Sequence, residues 1–470
     1  MNVRAQLMMV MALDKCVGCH ACSITCKRSW TDRPGSEHAW FNNVETRPGV
    51  GYPAGWETVD RAGGERSLSG KKAAVSEEYY EPWTYDFAHL TGASLVERPP
   101  AAEARSLVSG EPLRPRKGPN WDDDVIGTLA PQTTFRSAGE AAREQYEQMF
   151  MLYLPRICNH CLDPPCAKAC PTHAISKRSV DGIVVVDDAR CKGKGRCVPA
   201  CPYGKVYLNR LTGKAEKCMF CLPGVTENGL PTLCSETCVG RLRFIGVVLY
   251  DADAVAAAAD SRGEAGLVEF HRGLFLDAAD RAVRVEAERA GIAHSWLEAA
   301  ERSPVYALVR ELRVALPLHP EFRTLPMVWY VPPLSPLLGG LSATATLGAQ
   351  AGEDPTGHPG GGPGGARGVE HVSDAPAVGP LFGSPADLRI PVEYLAGLFA
   401  AGDTAPVEEA LKTLMAMREY KRQQQMGADE LESARRLGAE PQRLERLFRL
   451  LAIGERKDRF VIPTADPSFD

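Results

Sequence analysis

The sequence predicts an α+β chain, and three observations predict it. Fifteen cysteines fall in four tight groups, the last three of them set among short strands and turns. An apolar run at positions 7–13 opens the chain, and its length and flanks suit a buried β-strand. Beyond position 250 the apolar residues recur at helical spacing, as in "AADRAVRVEAERAGIAHSWLEAAERS" and "PVEEALKTLMAMREYKR".

The totals bound the function. A chain of 470 residues has room for two to four domains. A net charge of -5 lacks the concentrated basic face that nucleic acid demands. Apolar stretches such as "FIGVVLY" are far shorter than the roughly 20 residues of a membrane helix, so no direct span is expected. Arg4 before the first apolar run resembles a weak export signal. No small-residue cleavage site follows, and cleavage would crowd a cysteine group, so the strand is the better reading.

Along the chain, the first cysteine group stands alone within 1–45. An aromatic-rich insertion, 46–150, carries "YYEPWTYDF" and no cysteine. Ser137 and Glu140 have capping-box spacing, predicting a helix over about 138–151. Residues 151–250 hold the other three groups, with strands expected at "GIVVVDD" and at "GVVLYDADAV", the latter leading into a helix. A helical region, 251–338, contains the apolar, Pro-rich "LPMVWYVPPLSP", an extended segment that reads either as a partner-docking surface or as core. The span 339–380 is a flexible insertion whose 339–368 part is rich in Gly. Residues 381–470 are again helical.

The cysteines carry the chemistry. Cys16, Cys19, Cys22 and Cys26 follow C-x2-C-x2-C-x3-C, the bacterial ferredoxin spacing in which three thiolates grip one cubane and the fourth ligates its neighbour. A tight loop is expected to wrap three corners while the fourth cysteine opens a helix aimed at the partner cluster. Cys158, Cys161, Cys166 and Cys170 keep that logic with a longer loop, and so do Cys218, Cys221, Cys234 and Cys238 with an insertion. The remaining group has only Cys191, Cys197 and Cys201, and Lys194 stands where another thiol would fall. The fold class is therefore α+β: two ferredoxin-like bis-cluster units with large insertions and a mainly helical C-terminal region.

Each unit needs two groups. Chain order pairs the two middle groups and leaves the outer two for each other. Exchange of the fourth cysteines then assigns Cys16, Cys19, Cys22 and Cys238 to one [4Fe-4S] cluster. Cys26, Cys218, Cys221 and Cys234 hold a second, and Cys158, Cys161, Cys166 and Cys201 a third. Cys170, Cys191 and Cys197 remain, and three thiols suit a [3Fe-4S] cluster, because an ammonium such as Lys194 is no substitute for a soft thiolate. Zinc also favours C-x-x-C pairs, but the repeated four-cysteine spacing with trailing Pro171 and Pro202 is far more specific. His20, His160 and His173 lie among the thiols and read as loop residues, since thiols already fill the coordination.

With these groups in place, the sequence resembles the iron–sulfur β subunit of respiratory membrane-bound nitrate reductase over nearly the whole chain. The likeness is carried by "LDKCVGCHACSITCK", "AWFNNVETRPG", "GPNW", "CSETCVGRLRFIGVVLYDADA", "SPVY", "LPLHPEFRTLPMVWYVPPLSP", "RIPVEYLA" and "DRFVIP". It implies three [4Fe-4S] clusters and one [3Fe-4S] cluster, with the ligand exchange above. It also implies partners: a haem b membrane γ subunit that oxidises quinol, and a molybdopterin-containing α subunit that reduces nitrate to nitrite. The chain would lie peripherally on the cytoplasmic face of the membrane and hold no catalytic residue. The family commonly has Trp where Lys194 stands. Two rivals share parts of the pattern. One is the β subunit of nitrite oxidoreductase or of a selenate, chlorate or hydrocarbon dehydrogenase, which the extended regions 46–150 and 390–465 disfavour. The other is a free polyferredoxin, which would need little beyond the cysteine core.

Overall fold

The computed structural model describes residues 1–47, 152–260, 266–334, 390, 392–427, 429–436 and 438–463, with five short strands between 59 and 113. The helix expected over 138–151 and the Gly-rich 339–368 lie outside the described residues, as do most of 46–150 and all of 339–380.

The apolar run at the N-terminus is strand β1, Val3–Ala12, in which only Arg4 is exposed. It sits centrally in a five-stranded mixed sheet with β2 (Arg243–Asp251), β3 (Phe275–Leu276), β4 (Leu316–Pro317) and β5 (Val328–Val331), in the order β3-β2-β1-β5-β4. β2 runs antiparallel to β1, from Val3 opposite Asp251 to Met11 opposite Arg243, and β5 runs parallel to it. A strand covered on both faces loses the apolar–polar alternation of a half-exposed one, which is why both β1 and β2 read as continuous apolar runs.

"LPMVWYVPPLSP" had two readings, and its described part, through Leu334, is core. Leu325, Met327, Val328, Trp329, Tyr330, Val331 and Leu334 are all buried. The Tyr330 hydroxyl donates to the Pro155 carbonyl at 3.0 Å, and its ring lies 5.7 Å from that of Phe399. The strip thus joins the sheet, the cysteine-bearing region and the C-terminal helices.

Helices form within the regions expected to be helical: Arg281–Arg289 and His294–Glu301, which pack on the sheet, then Val392–Phe399, Thr404–Gln425 and Pro441–Phe448, which pack on one another in that order. Asp403 caps the longest by accepting from the Ala405 N–H. Helices His294–Glu301 and Pro304–Tyr306 pack on β2. The approach is close enough that a Cβ at Gly246 would lie 2.5 Å from Ser303 Oγ, so only glycine fits there. The chain returns at Phe460, bridged to Ile245.

Candidate functional site: four sets of thiols

All fifteen cysteines are described, and all are free thiols rather than disulfides. Each four-cysteine group leads into one short helix: α1 (Ala21–Cys26), α2 (Pro165–Lys168) and α4 (Leu233–Glu236); α3 (Cys197–Ala200) does the same in the group that lacks a thiol. The expected placement of the fourth cysteine needs correction here. Cys26 is the last residue of α1, and Cys170, Cys201 and Cys238 lie beyond α2, α3 and α4, so the fourth thiol closes a helix rather than opening one. One helical turn spans the x3 step, about 3.6 residues, and carries the fourth thiol away from its own loop.

Helix α1 packs on α4, and α2 on α3. The outer groups therefore meet each other, as the middle groups do. Their contact is tight, since a Cβ at Gly240 would sit 2.2 Å from the Lys15 carbonyl oxygen.

The thiols fall into sets by mutual influence. Burial pushes Cys16 up to about 12, and Cys22 and Cys238 add to the rise. Burial likewise raises Cys26 well above the ordinary thiol range, with Cys234, Cys218 and Cys221 contributing. The same four cysteines line one small cavity walled by Trp30, Phe41 and Phe220. Cys161 is raised by burial and then by Cys158, Cys201 and Cys166. Cys197 is pushed up to about 11 by burial, then by Cys170 and Cys191. Each of these thiols is influenced by at least one from a different cysteine group, while Cys19 lies exposed at the protein surface.

Neighbouring sets also touch. Cys158 contributes to the rise of Cys218 to about 12, and Cys197 to that of Cys166. The Arg243 guanidinium bonds Cys234 Sγ at 3.3 Å and also reaches Cys22. These influences order the expected sets as the Cys16, Cys26, Cys158 and Cys170 sets.

The fit to iron–sulfur centres can be judged from the thiols themselves. Burial and neighbouring thiols together raise Cys16, Cys26, Cys161 and Cys197, which favours their protonated forms; a metal that takes the proton's place removes that conflict. Among the described residues no three His, Cys, Asp or Glu side chains close on a single-ion site. Backbone N–H groups already point at sulfur: Ala174 to Cys170 at 3.3 Å, Lys205 to Cys201, Ala215 to Cys191 and Phe220 to Cys218, each at 3.4 Å. At Cys170 burial is outweighed by bonds from Thr172, Ile175 and Ala174, and the thiol is held below its ordinary value.

The three histidines serve the loops. His20, His160 and His173 all have positive φ, at 56°, 43° and 50°. Buried His160 accepts from the Val184 N–H at 3.1 Å, and burial keeps its ring neutral. Lys194 lies exposed, turned outward between Gly193 and Gly195, which both have φ of 67°. Two residues escaped the sequence reading: Arg243, at the head of β2, and Lys217, immediately before Cys218. Arg243 opens the apolar run 244–250 five residues after Cys238, and Lys217 directly precedes Cys218; that nearness to cysteines was the available signal.

Two family models match the chain: a 4Fe-4S dicluster domain over residues 149–248, and the respiratory nitrate reductase beta C-terminal domain over 368–439. The respiratory nitrate reductase 2 beta chain of Escherichia coli (strain K12) is 44% identical over 491 residues, covering 99% of this chain and 90% of its own. The nitrate reductase beta chain of Bacillus subtilis (strain 168) is 41% identical over 489 residues, covering 99% and 94%. This chain belongs to the respiratory nitrate reductase beta chain family. The selenate reductase subunit beta of Thauera selenatis is 38% identical but covers only 70% of this chain. The matched C-terminal domain is the one named for respiratory nitrate reductase beta chains. As a beta chain with a dicluster domain, the protein holds iron–sulfur clusters in an oxidoreductase complex. Among the described residues no helix is long and apolar enough to cross a membrane.

Proposed function

We propose that this chain is the wire of a respiratory nitrate reductase: three [4Fe-4S] clusters and one [3Fe-4S] cluster in a row, held by the four thiol sets. The observation that carries the reading is the contiguity of those sets, since a relay needs each centre beside the next. Iron–sulfur clusters supply reversible one-electron redox chemistry over a wide span of potentials. The chain's own residues hold the sulfur atoms, bury them from water and aim N–H donors at them. The organisation is two ferredoxin-like units, one from the outer groups and one within 151–250, with the C-terminal helices as scaffold. Electrons enter from a quinol-oxidising haem b membrane subunit and leave for a molybdenum-containing subunit that reduces nitrate. The chain lies peripherally at the cytoplasmic face of the membrane.

Chain purified anaerobically is expected to contain about fifteen irons and no stoichiometric zinc, given thiolate ligation by every cysteine. Metal analysis decides this, and stoichiometric zinc with little iron would sink the reading. The oxidised protein should also show the paramagnetic signal of a [3Fe-4S] centre. Because Lys194 is exposed, water and salt screen its charge. Lys194→Met is therefore expected to move that centre's midpoint by less than about 59 mV, the tenfold step for one electron. A larger fall in a potentiometric titration would put the ammonium next to the cluster.

A further inference from the structure

Arg243 and Lys217 are 0% and 3% exposed, yet neither has a carboxylate among its hydrogen-bond partners. The Arg243 guanidinium bonds Cys234 Sγ at 3.3 Å, Asn42 Oδ1 at 3.0 Å and Met9 Sδ at 3.7 Å, and its Nε has no partner. It also reaches the Cys22 thiol. The Lys217 ammonium donates to the carbonyls of Val184 and Cys218 and faces the sulfur atoms of Cys158, Cys166 and Cys218. A buried charge with no counter-ion is costly to keep. Both cations must find their counter-charge in what the thiols hold.

Their positions are specific. Cys22 and Cys234 belong to the first and second sets, so Arg243 stands at the first junction of the row. Cys218 belongs to the second set, and Cys158 and Cys166 to the third, so Lys217 stands at the second junction. Resting on the wire reading above, we propose that Arg243 and Lys217 are shared counter-charges, each holding up the reduction potentials of both centres it lies between. Uptake of one electron adds one negative charge and needs no proton or ligand change. A fixed cation in a water-free interior favours that reduced form. Because each cation serves two centres, it shifts both together, setting the level of a pair rather than of one cluster.

The test is a potentiometric titration of the assembled complex, followed by paramagnetic resonance, after metal analysis of each variant. Arg243→Gln is expected to lower the midpoints of the Cys16-set and Cys26-set centres, each by a tenfold or greater change in the reduced-to-oxidised ratio, about 59 mV for one electron. Lys217→Met should lower the Cys26-set and Cys158-set centres in the same way. The three-iron centre stays put in Arg243→Gln, because no sulfur bonded by Arg243 belongs to its set. Arg243→Lys, which keeps the charge, should restore most of the shift. Unmoved midpoints in a fully loaded Arg243→Gln protein, or equal falls in all four centres, overturn the proposal. If Arg243→Gln loads iron poorly, Arg243→Lys decides: full loading with near-native midpoints supports it, and a defect as large as that of Gln overturns it. A wild-type chain lacking four centres would instead defeat the wire reading itself.

Discussion

Cys26→Ala and Cys234→Ala are expected to abolish one and the same cluster signal, and each to remove about four irons. The two residues lie in different groups, 208 positions apart in the numbering, yet both line the cavity that also exposes Cys218 and Cys221. Losing one of four thiolates leaves an open corner on a cubane, and neither neighbouring loop has a spare cysteine to fill it. Cys22→Ala should instead abolish the signal shared with Cys238, because the Cys16 thiol responds to both of these. Resonance spectra of the reduced proteins check the pairing. Different lost signals for Cys26→Ala and Cys234→Ala would mean that the outer groups do not exchange their fourth cysteines.

The second large effect concerns a buried ion pair beside the third set. Strand Asn43–Arg47 pairs antiparallel with Leu152–Arg156. At the end of that ladder Arg156 donates to both Glu45 oxygens, at 3.0 and 3.2 Å, and to the Tyr203 carbonyl at 3.0 Å. The side chains of Arg156 and Glu45 are 3% and 0% exposed, so solvent does not screen the pair. Asn43 supplies a further donor to Glu45 at 3.2 Å. Arg156 lies two residues before Cys158, and Tyr203 two after Cys201, so the pair clamps both ends of the third set. Glu45→Ala leaves a buried guanidinium without its carboxylate and is expected to cost about 3–5 kcal/mol. Denaturant unfolding followed by cluster absorbance measures it. A loss below about 1 kcal/mol, the range of an exposed pair, would show that water reaches the site.

What was legible in the sequence was local. Three residues between two cysteines make about one helical turn wherever they occur, and a loop of two residues between thiols can wrap one corner of a cluster whatever surrounds it. Spacing was therefore enough to point to iron–sulfur chemistry. Chain order was enough to pair the groups, because the middle two lie too close in sequence to part. Helical periodicity beyond 250 and the apolar run at 7–13 were equally readable, since each reports the burial of its own element.

The tertiary structure decided everything that depends on what lies across from a residue. Lys194 could face its neighbours or the solvent; the two glycines beside it, both with positive φ, turn the loop so that it faces out. "LPMVWYVPPLSP" could cover a partner or fill the core, and its parallel pairing with β1 buries it. The counter-charges were the least visible. Arg243 heads a strand whose register against β1 sets it opposite Met11, and only the packing of α1 on α4 brings Cys22 and Cys234 to the same guanidinium. Ligand spacing is written in adjacent residues. The charge around a cluster is set by strands and loops hundreds of positions apart, which meet only when the sheet closes.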